Sequence, residues 1–172
     1  VSGTVEAIER GDRRKILSVQ IKADETQQFV DFGKKDVSKL TSESVLSTLL
    51  ESGLFAFFKQ RPYDVTACPN DAPKAIFVSA FNSMPLAADF EFVLQGREDD
   101  FQTGLSVLTK LAPTHLGVHK NQTSNALNNA KDVEVTIYDG VAPAGNVGVH
   151  INKIAPINKG EIVWTIGAEE VI

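Results

Sequence analysis

The sequence predicts an α/β fold, a mostly parallel sheet flanked by helices, with a β-hairpin ahead of it. Three observations carry this. Residues 75–81 form a nearly unbroken apolar run, stopped by Asn82, Ser83, Met84 and Pro85, and Asp89 then opens a helical pattern. A run without alternation suits a central parallel strand buried on both faces. From residue 41 onward, strand-like and helix-like segments alternate, the pattern of a sheet whose crossovers are helices. Leu17, Val19 and Ile21 alternate strictly with Ser18, Gln20 and Lys22, the mark of a strand with one wet face. In such sheets ligands sit beyond the carboxyl ends of the strands, so residues 82–89 are the expected floor of any cleft.

The totals set bounds. A chain of 172 residues is one domain, or one with a small appendage. Its net charge of -5 argues against a general nucleic-acid surface. No apolar stretch approaches a membrane span, and no leader pattern opens the chain. Cys68 stands alone, which leaves no internal disulfide and suggests a reducing, cytoplasmic setting. A start at Val1 without Met and an apolar Val171-Ile172 end both look like cuts from a longer polypeptide.

In order, residues 1–23 read as a hairpin turning at Gly11-Asp12. The charged string 10–15 is broken by Asp12, so it reads as a solvated tip rather than an anion site. Two strands alone are marginal in water and need partners. Residues 24–40 read as a polar linker with one short strand, anchored by Phe29 and Phe32. Thr41 or Ser42 caps a helix whose Val45, Leu46, Leu49 and Leu50 share one face, and Gly53 ends or interrupts it. Leu54, Phe55, Phe57 and Phe58 either plug the core or form a docking face. Residues 63–73, with Pro69, Asn70, Asp71 and Pro73, read as loop.

After the central strand, Asp89 caps a short helix ended by Gly96. A longer helix over 97–111 follows, with Phe101, Leu105, Leu108 and Leu111 on one face. Glu98, Asp99 and Asp100 crowd its first turn, where the helix dipole favours negative charge. Gly104 inside it implies a close neighbour. Residues 115–119 form a strand whose His115 and His119 share a face, about 13 Å apart at ~3.3 Å per residue, too far for one metal ion. A weak helix over 124–130, a strand with Val133, Val135 and Ile137, a helix with Val147, Ile151 and Ile154, and a last strand over 162–166 complete the order.

Chemistry-bearing motifs do not appear. There is no G-x-G-x-x-G, no G-x-x-x-x-G-K-[ST], no G-x-S-x-G and no Cys pair for zinc or an iron–sulfur cluster. Cys68 has no neighbouring base, so it reads as structural or incidental.

Several stretches together carry a resemblance. They are Glu51-Ser52-Gly53-Leu54, Arg61-Pro62-Tyr63, Lys74-Ala75-Ile76-Phe77-Val78, Met84-Pro85-Leu86-Ala87-Ala88-Asp89 and Gly96-Arg97-Glu98-Asp99-Asp100-Phe101-Gln102-Thr103-Gly104-Leu105. Pro143-Ala144-Gly145, Val147-Gly148-Val149-His150-Ile151, Val163-Trp164 and Ile166-Gly167 continue it. In order and rough spacing, over nearly the whole chain, this resembles the A subunit of the sodium-translocating NADH:quinone reductase.

The resemblance implies a middle fragment: residues 1–23 as closing strands of a lipoyl-like half-barrel, 24–40 as linker, and 41–172 as an α/β domain truncated at its C-terminal end. It implies a Rossmann-type domain similar to the flavin-binding subunit of complex I and to the C subunit of the Rnf complex. Those relatives cradle FMN with a glycine-rich loop and an acidic turn. Here Gly53, Phe55 and Phe57 stand at the loop position, and Asn82, Met84, Pro85 and Asp89 at the turn. Aromatics in place of glycines, and the lost acids, imply a vestigial cleft with no catalytic residue, bound cofactor or metal. The implied role is a non-catalytic scaffold in a respiratory oxidoreductase, peripheral on the cytoplasmic face of a bacterial inner membrane. Its implied partners are the other subunits, those in the membrane included, and no nucleic acid. The complex as a whole is implied to use NADH, flavins, an iron–sulfur cluster, quinone and sodium. The alternative is that this domain itself binds a quinone or another small ligand.

Overall fold

The computed structural model describes residues 2–172, which fall into two compact units, 2–34 and Lys35–Ile172. In the first, β1 (Gly3–Arg10) pairs antiparallel with β2 (Ile16–Ala23). Val5 faces Ile21 and Ile8 faces Val19, with a register shift between Val5 and Ala7. A bulge sets two residues against one. It therefore puts Val5 and Ile8, three apart in sequence, on the same side as Val19 and Ile21. These side chains remain about half exposed. On the other side Glu9 accepts hydrogen bonds from Ser18 Oγ (2.7 Å) and Gln20 Nε2 (2.8 Å).

Residues 24–36 contain no strand, contrary to the sequence expectation, and Phe29 anchors nothing, being 89% exposed. Local side-chain bonds take the place of a ladder: Asp31 Oδ1 accepts from Gly33 N at 2.8 Å, and Gln27 Nε2 donates to Asp24 O at 2.8 Å.

The second unit holds a six-stranded sheet. Its strands are β3 (Lys59–Arg61), β4 (Val65–Thr66), β5 (Ile76–Ser79), β6 (Thr114–His119), β7 (Glu134–Tyr138) and β8 (Val163–Gly167). The order is β4-β3-β8-β5-β6-β7. The β8-β5-β6-β7 part is parallel, whereas β3 runs antiparallel to both β8 and β4. The sheet is thus mixed. The antiparallel pair falls partly in the stretch read as loop, because strands of three and two residues are too short to show a period.

β5 is central, and Ile76, Phe77 and Val78 are all at most 2% exposed. Ile76 and Val78 face the larger core. Leu46 and Leu49 of α1 (Ser42–Ser52), Phe101, Leu105 and Leu108 of α3 (Glu98–Leu108), and Leu127 of α4 (Asn125–Asn128) pack there. Ala75 and Phe77 face a smaller core with Ile151 and Val147 of α5 (Val147–Ile154). In numbering order, α2 (Phe90–Leu94) is the short helix before α3.

Local chemistry fixes the helix ends. Thr41 and Ser44 form a capping box on α1, and Gly53 closes it at φ 78°, the left-handed conformation that glycine adopts freely. Asp89 Oδ1 caps α2, accepting from Glu91 N at 2.9 Å. Gly104 allows the chain end to cross α3, since a Cβ there would meet Val171 O.

Candidate functional site: the cleft beyond the strand ends

From β5 the chain moves outward to β6 and β7, then returns to β8 on the other side of β5. The connections therefore part above β5 and β8, and a crevice opens where they do. Two adjoining hollows occupy it, sharing Phe81, Asn82 and Phe90. One, of about 300 Å³, lies over β5 and β8 and is walled by Phe57, Val147, Ile166, Glu169 and Glu170. The other, of about 390 Å³, lies over β5 and β6 and takes in Asp89, Glu91, His119 and Thr123.

The start of α5 is clamped to the turn after β5. Gly145 N donates to Ser83 Oγ at 3.0 Å, and a Cβ on Gly145 would run into Ser83 N. Only glycine lets the two backbones meet so closely. Asn146 caps α5, its Oδ1 accepting from Gly148 N at 2.8 Å. Beneath, buried His150 uses Nε2 to reach Ala144 O at 2.9 Å. A carbonyl only accepts, so Nε2 carries the proton. The ring stacks on Tyr138 with centroids 3.7 Å apart and lies over Gly117, where a Cβ would come 2.8 Å from Nδ1. Burial pushes the His150 pKa down from the ordinary 6.5, against the pull of the Ala144 carbonyl and with a small push from Lys153. Burial likewise raises Tyr138. Sequence reading assigned His150 no role; the available signal was Gly117, a glycine in a strand, which marks a close approach.

The candidate residues are dispersed. Gly53 serves the α1 turn, with open space where a Cβ would stand. Phe55 and Phe58 are core: they stack at 5.5 Å and both meet Trp164, at 5.4 and 5.6 Å. Phe57, 45% exposed, stands on the cleft wall. The aromatic cluster is thus part plug and part surface. Asn82 lies between the hollows, and its Oδ1 accepts from Met84 N at 3.0 Å. Met84 and Pro85 project into solvent and line neither hollow. Asp89 sits on the rim. The apolar wall is built of Phe57, Phe81, Phe90, Val147 and Ile166.

Electrostatically, the rim carries Asp89, Glu91, Glu169 and Glu170 against Lys59. Glu170 Oε2 already accepts from Gly167 N at 2.8 Å. His115 lies 3.3 Å from Glu134 and stacks on Phe77, away from the rim. Cys68 is free and exposed. Among the described residues, no group of three His, Cys, Asp or Glu is placed to hold a metal ion. No helix among them is long and apolar enough to cross a membrane.

Residues 40–172 match the family model described as NqrA second alpha/beta domain. The chain is 37% identical to the A subunit of the Na(+)-translocating NADH-quinone reductase of Saccharophagus degradans. It is 38% identical to that of Actinobacillus pleuropneumoniae serotype 5b and 34% to that of Cellvibrio japonicus. Each match covers 99% of this chain and 39% of the relative, so the chain spans about two-fifths of the length of these relatives. The chain belongs to the family of the A subunit of the Na(+)-translocating NADH-quinone reductase, within which residues 40–172 form the second α/β domain.

Proposed function

We propose that this chain is a non-catalytic scaffold within a sodium-pumping NADH:quinone oxidoreductase, built on a Rossmann-type sheet whose flavin cleft is degenerate. The sheet order β7-β6-β5-β8, with the crevice at its reversal, supports the Rossmann-type reading. One observation carries the loss of the cofactor: the cleft's glycine N–H groups are already taken, and its rim sets four carboxylates against one lysine, Lys59. Anion sites use free backbone N–H groups and cations. Here Gly145 N is taken by Ser83 and Gly167 N by Glu170, and Asp89, Glu91, Glu169 and Glu170 stand on the rim. The residues present do not fit FMN. NADH, flavins, the iron–sulfur cluster and sodium then belong to other parts of the complex. In this reading the domain is peripheral, on the cytoplasmic face of a bacterial inner membrane, held by its partner subunits. The hairpin is the closing part of a half-barrel, consistent with its one half-exposed apolar side. The purified domain should show no flavin absorbance after extensive dialysis; stoichiometric FMN would overturn the reading.

A second reading has its own observation. The hollow of about 300 Å³ has a neutral aromatic wall of Phe57, Phe81 and Phe90, which suits an uncharged ring such as a quinone head group. Titration with a short-chain quinone should then shift the NMR signals of Ile166 and Val147 saturably, and Phe57→Glu should abolish the shift. No saturable change removes this reading.

A further inference from the structure

The turn after β5 and the helix α2 that follows it hold apolar side chains in solvent. Leu86 is 105% exposed, Phe92 78% and Met84 62%. These three lie within nine residues of chain. Leu86 also has φ 62°, the left-handed region that residues with a Cβ avoid. Scattered single apolar residues at a surface need no explanation, but three within nine residues, one of them on a left-handed backbone, do. Beside it Phe92 borders a groove of about 720 Å³ that also takes in Asp89, Glu91 and Asp99, with Lys131 as its cation.

We propose that residues 84–92 and this groove are a docking site for a partner-protein segment in which apolar residues are flanked by Lys or Arg. The proposal rests on the scaffold reading. The apolar side chains would supply the desolvated centre of the interface, and the carboxylates would set its charge sign at the rim. The same sign disfavours the anionic lipid surface of a membrane, to which basic rather than acidic patches bind.

The test uses the complete reductase complex, with a photo-crosslinking amino acid at Leu86 and, separately, at Phe92. Tyr63, 84% exposed on another turn, is the control position. Adducts from both test positions to a protein segment containing Lys or Arg beside apolar residues are expected, at several-fold the yield from Tyr63. Leu86→Asp with Phe92→Asp should weaken retention of the chain in the complex at least tenfold, with an unchanged circular dichroism spectrum. Adducts to lipid, adducts to an acidic segment, or yields no higher than from Tyr63 overturn the proposal. Co-purification of the unaltered chain with the other subunits reports separately on the scaffold reading.

Discussion

His150 holds the cleft together from below. Its imidazole spans α5 and the loop before it, donates to Ala144 O, and rests on Tyr138 and Gly117. Lys153 is the charged group acting on it, while Tyr138 and Phe81 stack against its ring. Because burial lowers its folded pKa below the unfolded 6.5, the folded state prefers the neutral ring. Its stability is then fullest above pH 6.5 and falls as pH drops below it, since the unfolded chain takes up a proton that the folded one refuses. Carboxylates act in a lower window. Glu161, lowered by its bonds to Asn158 N and Lys74, and Asp139, lowered by Lys120, lose their contribution below about pH 4. Thermal unfolding should therefore show Tm falling from pH 7 to 5 in the native chain. The fall should be shallower in His150→Phe, which keeps a ring on Tyr138 but cannot titrate. A second residue-scale prediction concerns Gly145. Gly145→Ala places a methyl against Ser83 N, a backbone atom that cannot rotate away. A loss of about 1–3 kcal/mol in denaturant melts is expected, as for overpacking, with NMR changes centred on Asn82, Ser83 and Val147.

At the scale of elements, the segment after α1 divides its four large apolar residues. Phe55 and Phe58 turn inward onto Trp164, while Leu54 and Phe57 stay about half exposed. Phe58 is 1% exposed, so Phe58→Ala should cost about 3–5 kcal/mol in urea unfolding. Phe57→Ala should cost less than about 1 kcal/mol, as exposed substitutions do. The segments read correctly from sequence share a physical cause. α1 and α3 each repeat an apolar face over eleven residues and carry explicit signals at their starts, and β5 is apolar on both faces because both are covered. β3 and β4 escaped because their polar residues pair through backbone, Gln60 opposite Trp164, while Gln60 Oε1 accepts from Trp164 Nε1 at 3.3 Å. The position of the cleft was readable, because sheet topology places it. Its lining was not. Val147, Glu169 and Glu170 come from the far end of the chain, and Leu86 points outward through a backbone conformation that its residue type does not announce.

At the scale of the whole molecule, the two units draw on different stabilising sources. Lys35–Ile172 owns a core on both faces of its sheet, with Phe101, Leu105, Leu116 and Val163 at 0% exposure. Among the described residues, none of 2–34 belongs to either apolar cluster, and the hairpin rests on backbone pairing and on the bonds of Glu9. An isolated hairpin is marginal in water, so the exposed side with Val5, Ile8, Val19 and Ile21 is where further chain or another protein would add stability. Substitution there should leave the thermal transition of the α/β unit alone. Val19, 48% exposed, changed to Lys removes apolar surface that little covers. Its expected effect is within about 0.5 kcal/mol, which shifts Tm by at most ~2 °C in a domain of this size. The same substitution in a full-length relative, measured by the same thermal melt, should cost several times more if that relative's further chain packs on the hairpin. Equal small shifts in both would show that the apolar side stays bare in the longer protein as well.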